Sequence, residues 1–188
     1  MKKIVLLSLV ACLSAAPVSA EDLTSRVNAS RAAIKGFFGD LAGELKGALK
    51  TSGPLAAIQV CNAKATGIAS THSEKNGWVI GRTSLKTRNA ANAPDVWERS
   101  VLKKFEARKA AGEDPKKMEH YRVVTKNGKP VFRYMKAIPT AEKPCLVCHG
   151  SNLKPKIAEA LDKLYPQDQA RGYKAGDIRG AFTIIQPM

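Results

Sequence analysis

The sequence predicts an α+β domain built around a small antiparallel sheet. Helical patterns come first along the chain, strand patterns joined by a hairpin follow, and short helical segments connect the strands. Elements segregated in this order are typical of α+β architecture. An architecture does not name a function, which has to be argued from a site.

Two amphipathic helices are predicted in the first part of the mature chain. Apolar side chains recur close to one helical face over residues 22–50, and the pattern stops at Thr51-Ser52-Gly53-Pro54. A second helix is predicted from Leu55 to about Thr71, with Cys61 on its apolar side. We therefore expect the Cys61 side chain to face inward.

The remaining elements are predicted from alternation, turn residues and helical periodicity. Asn127-Gly128 tolerates positive φ at both central positions of a type I′ turn, which predicts a hairpin around it. Asn89 and Asn92 are expected to hold the backbone of a polar loop. The predicted elements are a strand over 78–85, this loop over 86–95, a helix over 97–112, hairpin strands over 121–125 and 131–138, a helix over 155–164 and a last strand over 178–186.

The first twenty residues have the features of a secretory signal peptide. Lys2 and Lys3 precede an apolar stretch over residues 4–13, and Val18-Ser19-Ala20 forms a small-residue cleavage site. This stretch is too short to cross a hydrocarbon core, which needs ~20 residues, and no later segment comes close. We predict a periplasmic protein without a transmembrane segment in the mature chain. Lipidation at Cys12 is the alternative.

The formal net charge of +15 favours anionic partners. An acidic redox partner protein and the surface of a membrane both fit this charge. Nucleic acid is not expected, because an exported protein rarely meets it. A basic surface that serves only solubility is the alternative.

Cys145-Leu146-Val147-Cys148-His149 is a C-x-x-C-H motif, the attachment signature of c-type haem. Two thiols on one helical turn can add to the two vinyl groups of one haem, and the adjacent His149 can then bind its iron. The competing interpretations are a disulfide, a thioredoxin-like pair and half of a zinc site. A zinc site would need a second ligand pair at suitable spacing, and the sequence has none.

The second axial ligand is open from the residues alone. Cys61 is the odd thiol of the mature chain and lies on an apolar helical face, although an inert buried cysteine is common. His72 lies ~16 Å further along a straight helix, so it and Cys61 cannot both serve one iron. The candidates are Cys61, His72, His120, Met118, Met135, Met188 and no protein ligand at all.

Several segments of the chain resemble the PAS-like c-type haem domains, a family described as candidate redox or gas sensors. The resemblance rests on Val60-Cys61, on residues 81–92 with Pro94, Trp97 and Glu98, on residues 145–150 and on residues 176–181. It departs at Ala90, where proline is expected. The resemblance implies a PAS-like antiparallel sheet with flanking helices and a long N-terminal helix, and haem iron held between His149 and Cys61.

The expected organisation is a signal peptide at 1–20, an N-terminal helix at 21–52 and a PAS-like c-type haem domain at 53–188. Arg82, Lys86 and Arg88 lie on or beside the polar loop and are candidates for binding the haem propionates, since arginine matches a carboxylate in fork geometry. A solvated basic loop is the alternative.

The expected function is that of a monohaem protein, as a redox or gas sensor that binds a diatomic gas, or as a low-potential electron carrier. An ordinary cytochrome c with a His/Met pair is the alternative. Enzyme activity has the least support, because the sequence offers no distal His-Arg pair.

Overall fold

The computed structural model describes residues 19–188 of the chain. Its helices are α1 (Ala20–Ala63), α2 (Ala65–Asn76), α3 (Val96–Ala110), α4 (Cys145–His149) and α5 (Pro155–Leu164), and its strands are β1 (Val79–Thr83), β2 (Glu119–Lys126), β3 (Lys129–Pro139) and β4 (Ile178–Pro187). The predicted signal peptide, apart from Ser19 and Ala20, and the alternative lipidation site Cys12 lie outside the described residues. None of the helices over residues 19–188 is both long and apolar enough to span a membrane.

The four strands form one antiparallel sheet in the order β1-β4-β3-β2. Side chains directly opposite one another share a face, as Ile80, Ile184 and Tyr134 do across three strands. Helices α1 and α2 lie on this face and α3 lies on the other. The α+β class with a long N-terminal helix is therefore confirmed, and the arrangement is PAS-like.

Helix α1 is longer than the sequence suggests and bends where the first helix was expected to end. Gly53 has φ 78° and ψ −173°, a conformation open only to glycine, and Pro54 follows it. The segment before the bend packs Ile34, Phe37 and Leu41 against the sheet. The segment after it carries Cys61 away from the sheet toward α5.

The second predicted helix is split and extended. The backbone N–H of Lys64 still donates to Val60 O at 2.9 Å, so helical bonding nearly continues between α1 and α2. Helix α2 then runs past Thr71 to Gly77, which ends it in the left-handed conformation at φ 66°. The predicted end at Thr71 is therefore wrong by more than one turn.

The later elements follow the sequence closely. Asn127 and Gly128 have φ values of 52° and 76°, as a type I′ turn requires, so the predicted hairpin is confirmed. Helix α5 has the bounds that the sequence predicts. Asp95 is the N-cap residue of helix α3 and forms a capping box with Glu98.

Candidate functional site

The C-x-x-C-H motif forms the short helix α4, which brings Cys145, Cys148 and His149 onto one turn. Gly150 closes this turn by donating its N–H to Leu146 O, and a Cβ at position 150 would lie only 2.7 Å from that oxygen. Among residues 19–188 no disulfide involves Cys145 or Cys148. Both thiols therefore remain available on a single turn.

Cys61 lies in the same region as the motif. The half-buried Cys148 packs against a cluster that contains Ile58, one helical turn before Cys61. Burial raises the pKa of the Cys61 thiol, while the positive charges of Arg82 and Arg88 act to lower it. Burial also raises the pKa of the Cys148 thiol. The nearby charge of the Cys61 thiolate raises that pKa further. The structure thus places Cys61 close to Cys148 of α4.

The geometry around His149 selects one tautomer. Its Nδ1 lies 2.7 Å from Ala170 O, and because a carbonyl only accepts, Nδ1 carries the hydrogen. Burial, followed by the charges of Arg179 and Arg88, lowers the pKa of His149 to about 3, so the ring is neutral. The lone pair of Nε2 is left for another partner, and the Nε of Arg179 lies 3.5 Å from it.

Two guanidinium groups of the site lack a carboxylate partner within residues 19–188. Burial lowers the pKa of both Arg82 and Arg179. Arg179 donates instead to Ser84 Oγ at 3.1 Å and to Lys86 O at 3.3 Å. Both side chains are half-buried, and a charge that has lost part of its hydration gains from a counter-charge, so these two groups favour an anionic ligand. Arg179 was not a sequence-based candidate, although it lies within the segment 176–181 that carries the resemblance.

The other two predicted propionate residues already have partners. Lys86 Nζ donates to Arg171 O and lies 4.7 Å from the centre of the Tyr173 ring. Arg88 donates to Asp168, Cys148 O and Ala170 O. Arg88 therefore lies beside α4, whereas the ammonium group of Lys86 contacts the loop around residues 171–173.

The alternative axial candidates lie elsewhere. His72 Nε2 pairs with Asp40 Oδ2 at 2.8 Å between α1 and α2, and His120 stacks near Trp97 with ring centres 5.9 Å apart. Met118 and Met135 are fully buried under α3. Met188 follows β4, ~30 Å along the strand from Arg179 at 3.3 Å per residue.

These residues fit a covalently bound haem. Two thiols on one turn suit two vinyl groups, imidazole Nε2 and a cysteine suit iron, and two unpaired guanidinium groups suit carboxylates. Over residues 19–188 no three His, Cys, Asp or Glu side chains are grouped so that they could hold a bare metal ion.

Comparisons with known proteins agree with this fold. A sequence model of the Tll0287-like family matches residues 13–187. A solved structure described as the cyanobacterial heme-protein Tll0287 superposes with a TM-score of 0.61 at 24% sequence identity, covering 91% of this chain and 98% of that one. At this identity the likeness shows a shared fold. No curated protein matches the chain.

Proposed function

The chain belongs to the Tll0287-like family, and from this premise we propose that it carries one c-type haem bonded to Cys145 and Cys148. The observation that carries the proposal is the hydrogen bond from His149 Nδ1 to Ala170 O, which leaves Nε2 on the motif turn with a lone pair for iron. The solved structure of similar fold is described as a heme-protein, which supports the same cofactor.

We propose Cys61 as the second axial ligand. It lies close enough to Cys148 for their charges to interact, whereas the buried methionines pack under α3 on the other face of the sheet. Arg82 and Arg88 both favour the Cys61 thiolate electrostatically. The positions of the methionines give no support to the alternative His/Met cytochrome c.

The remaining residues of the site have separate tasks in this proposal. Arg82 and Arg179 bind the haem carboxylates, which gives these half-buried guanidinium groups a counter-charge. Lys86 holds the loop around residue 171 through its bond to Arg171 O. When bound, haem supplies one-electron redox chemistry, and a thiolate ligand favours its ferric state and so a low reduction potential.

We propose that the protein acts as a low-potential redox protein, either an electron carrier or a redox or gas sensor. Export to the periplasm is part of the proposal, because covalent haem attachment takes place there in bacteria. The net charge of +15 supports an acidic redox partner.

Replacing Cys61 tests the axial assignment. In Cys61→Ser we expect haem to remain attached, since Cys145 and Cys148 are intact, and the thiolate features of the ferric absorption and EPR spectra to disappear. His120→Gln is the matched control and should keep the wild-type spectra, because His120 lies beside Trp97. A Cys61→Ser spectrum identical to that of the wild type would remove Cys61 as ligand.

Binding of carbon monoxide to the reduced protein distinguishes a gas sensor from an electron carrier. If the bond to Cys61 weakens on reduction, adding carbon monoxide to the dithionite-reduced protein should shift its Soret band. An unchanged band from acid to alkaline pH would leave the electron carrier and remove the gas sensor.

A further inference from the structure

Asp168 is a buried carboxylate at the centre of the loop that leads to β4. Only 1% of its side chain is exposed. Its Oδ1 accepts from Arg88 Nε at 3.1 Å and from the backbone N–H of Ala170 at 2.9 Å, and its Oδ2 accepts from Arg171 Nε at 2.8 Å. Burial alone would raise the pKa of Asp168, but the hydrogen bonds from Arg88 and Arg171 outweigh it and lower that pKa, so the group is an anion.

Arg88 connects this carboxylate to the haem-binding turn. The same guanidinium that pairs with Asp168 donates from Nη2 to Cys148 O at 2.6 Å and to Ala170 O at 3.2 Å. Ala170 O is also the acceptor for His149 Nδ1. Asp168 therefore fixes Ala170 twice, through the Ala170 N–H and through Arg88.

Backbone hydrogen bonds tie the same loop to its neighbours. The N–H of Gly172 donates to Gly150 O at 3.1 Å, and that of Tyr173 donates to His149 O at 3.0 Å. On the other side, the N–H of Gln169 donates to Thr87 O at 2.8 Å. Three chain segments, 87–88, 148–150 and 168–173, thus meet around one carboxylate.

We propose that Asp168 is a positioning residue for His149, acting through Arg88 and the carbonyl of Ala170. This inference rests on the proposed function, because it treats His149 as an iron ligand. The acceptor on the second ring nitrogen of a ligating histidine fixes its tautomer and orientation and raises its basicity. Asp168 fixes where that acceptor lies, so it sets how strongly His149 binds and which oxidation state is favoured.

Asp168→Asn tests this role. The amide keeps the size of the side chain but leaves Arg88 without an anion, so the Ala170 carbonyl loses its fixed place and His149 becomes a weaker donor. A weaker His149 donor favours the reduced iron. Removing the buried negative charge of Asp168 also favours the reduced iron. We expect the redox equilibrium to shift at least tenfold toward reduction, ~59 mV for a one-electron couple.

Two further variants separate positioning from charge. Arg88→Lys keeps the positive charge but loses the fork that holds Asp168, Cys148 O and Ala170 O together. Asp162→Asn is the matched control, because the carboxylate of Asp162 is 67% exposed and reaches only the outer side of Arg171. If Asp168 positions His149, Asp168→Asn and Arg88→Lys should both change the reduction potential and the ferric EPR signal. Asp162→Asn should keep the wild-type values of both.

Hydrogen exchange gives a readout that does not depend on redox behaviour. In the haem-loaded wild type we expect the amides of Ala170, Gly172 and Tyr173 to be protected, and in Asp168→Asn to exchange at least tenfold faster. Unprotected amides in the wild type overturn the inference even if a variant fails to fold.

The outcomes distinguish this inference from the proposed function. Suppose that the wild type carries haem. If Asp168→Asn then keeps the wild-type potential and EPR signal, or if Asp168→Asn changes them while Arg88→Lys does not, the positioning role alone is overturned. A wild type that attaches no haem overturns the proposed function, and the inference falls with it.

Discussion

Glu98 links α3 to the sheet through side-chain hydrogen bonds. Its Oε2 accepts from the backbone N–H of Asp95 in the capping box, and its Oε1 accepts from Arg133 at 3.1 Å and from Thr183 Oγ1 at 2.7 Å. Only 5% of the Arg133 side chain is exposed. Glu98 therefore caps a helix and neutralises a buried charge at once.

Replacing Glu98 by alanine should destabilise the protein by about 3 kcal/mol, because it leaves the Arg133 guanidinium with the partly exposed Asp95 as its remaining ion-pair partner. Urea unfolding of Glu98→Ala against Glu106→Ala, a change at an exposed position of the same helix, measures this difference. Equal free energies of unfolding in the two variants would contradict it.

At the residue scale, sequence patterns locate the groups that form a local motif. Cys145, Cys148 and His149 lie within five consecutive residues, and Asn89 acts within its own loop, where its side chain accepts from the N–H of Ala91 at 2.9 Å as expected. Arg179 and Asp168 gain their roles only when distant segments pack together. Their partners lie up to 95 and 80 residues away, beyond the reach of any local pattern.

At the element scale, the bend in α1 determines where Cys61 lies. The residues before Gly53 pack on the sheet, and those after it pack on α5 and α4. Thr51-Ser52-Gly53-Pro54 correctly marks this point in the sequence but suggests an end rather than a bend. Helical hydrogen bonding resumes at once after Pro54, because proline needs no N–H partner at the start of a helical segment.

Gly53→Ala should destabilise the protein by about 1–3 kcal/mol, since alanine at φ 78° and ψ −173° is strained. Gly47→Ala in the same helix is the matched control. It meets no atom within 4 Å and should stabilise by about 0.5–1 kcal/mol. Thermal unfolding of both variants shows whether each substitution lowers or raises the stability of the protein. A Gly53→Ala variant as stable as the wild type would contradict the assignment of the bend.

Glu119 joins α1 to the edge strand β2 and makes this contact dependent on pH. Its carboxylate accepts from Arg31 of α1, and from the hydroxyl of Tyr134 at 2.5 Å. The hydrogen bond from Arg31 is the main reason that the pKa of Glu119 lies below its usual value, against an opposing effect of burial and with a further contribution from Tyr134. A carboxyl group with a lowered folded-state pKa stabilises the protein above the unfolded pKa and loses this effect as pH falls.

The stability advantage of the wild type over Glu119→Gln should therefore be complete at pH 7 and decline as pH falls below ~4.3, the ordinary glutamate value. Urea unfolding of both proteins from pH 7 to pH 3 measures the decline. A difference that stays constant over this range would show that the Glu119 charge contributes nothing to folding.

At the scale of the whole molecule, the sheet has an apolar core on each face, and the proposed haem site lies at one end of it. Apolar side chains and the ion pairs of Arg133 fill the space between α3 and the sheet. The end of the sheet that carries Arg82 and Arg179 lies next to Cys61, α4 and the loop of Asp168. Arg82 and Arg179, which have no carboxylate partner among residues 19–188, therefore lie at the proposed haem site rather than in either core.

The resemblance to PAS-like c-type haem domains is confirmed by the family match over residues 13–187 and by the shared fold. The segments that carry it include residues 81–92 and 176–181, which the sheet brings together because β1 pairs with β4, with Thr83 opposite Ala181. Fold class, hairpin and the last helix and strand were thus accessible from the sequence. The bend of α1 and the partners of Lys86 and Arg88 were not, because tertiary contacts decide them.

The most direct measurement of the central claim is the mass and absorption spectrum of the mature protein, denatured after expression in a host that attaches c-type haem. We predict one haem that stays with the polypeptide through acid extraction, in the wild type and in Cys61→Ser, and no retained haem when Cys145 and Cys148 are both replaced by serine. A colourless wild-type polypeptide at its bare peptide mass would contradict the account.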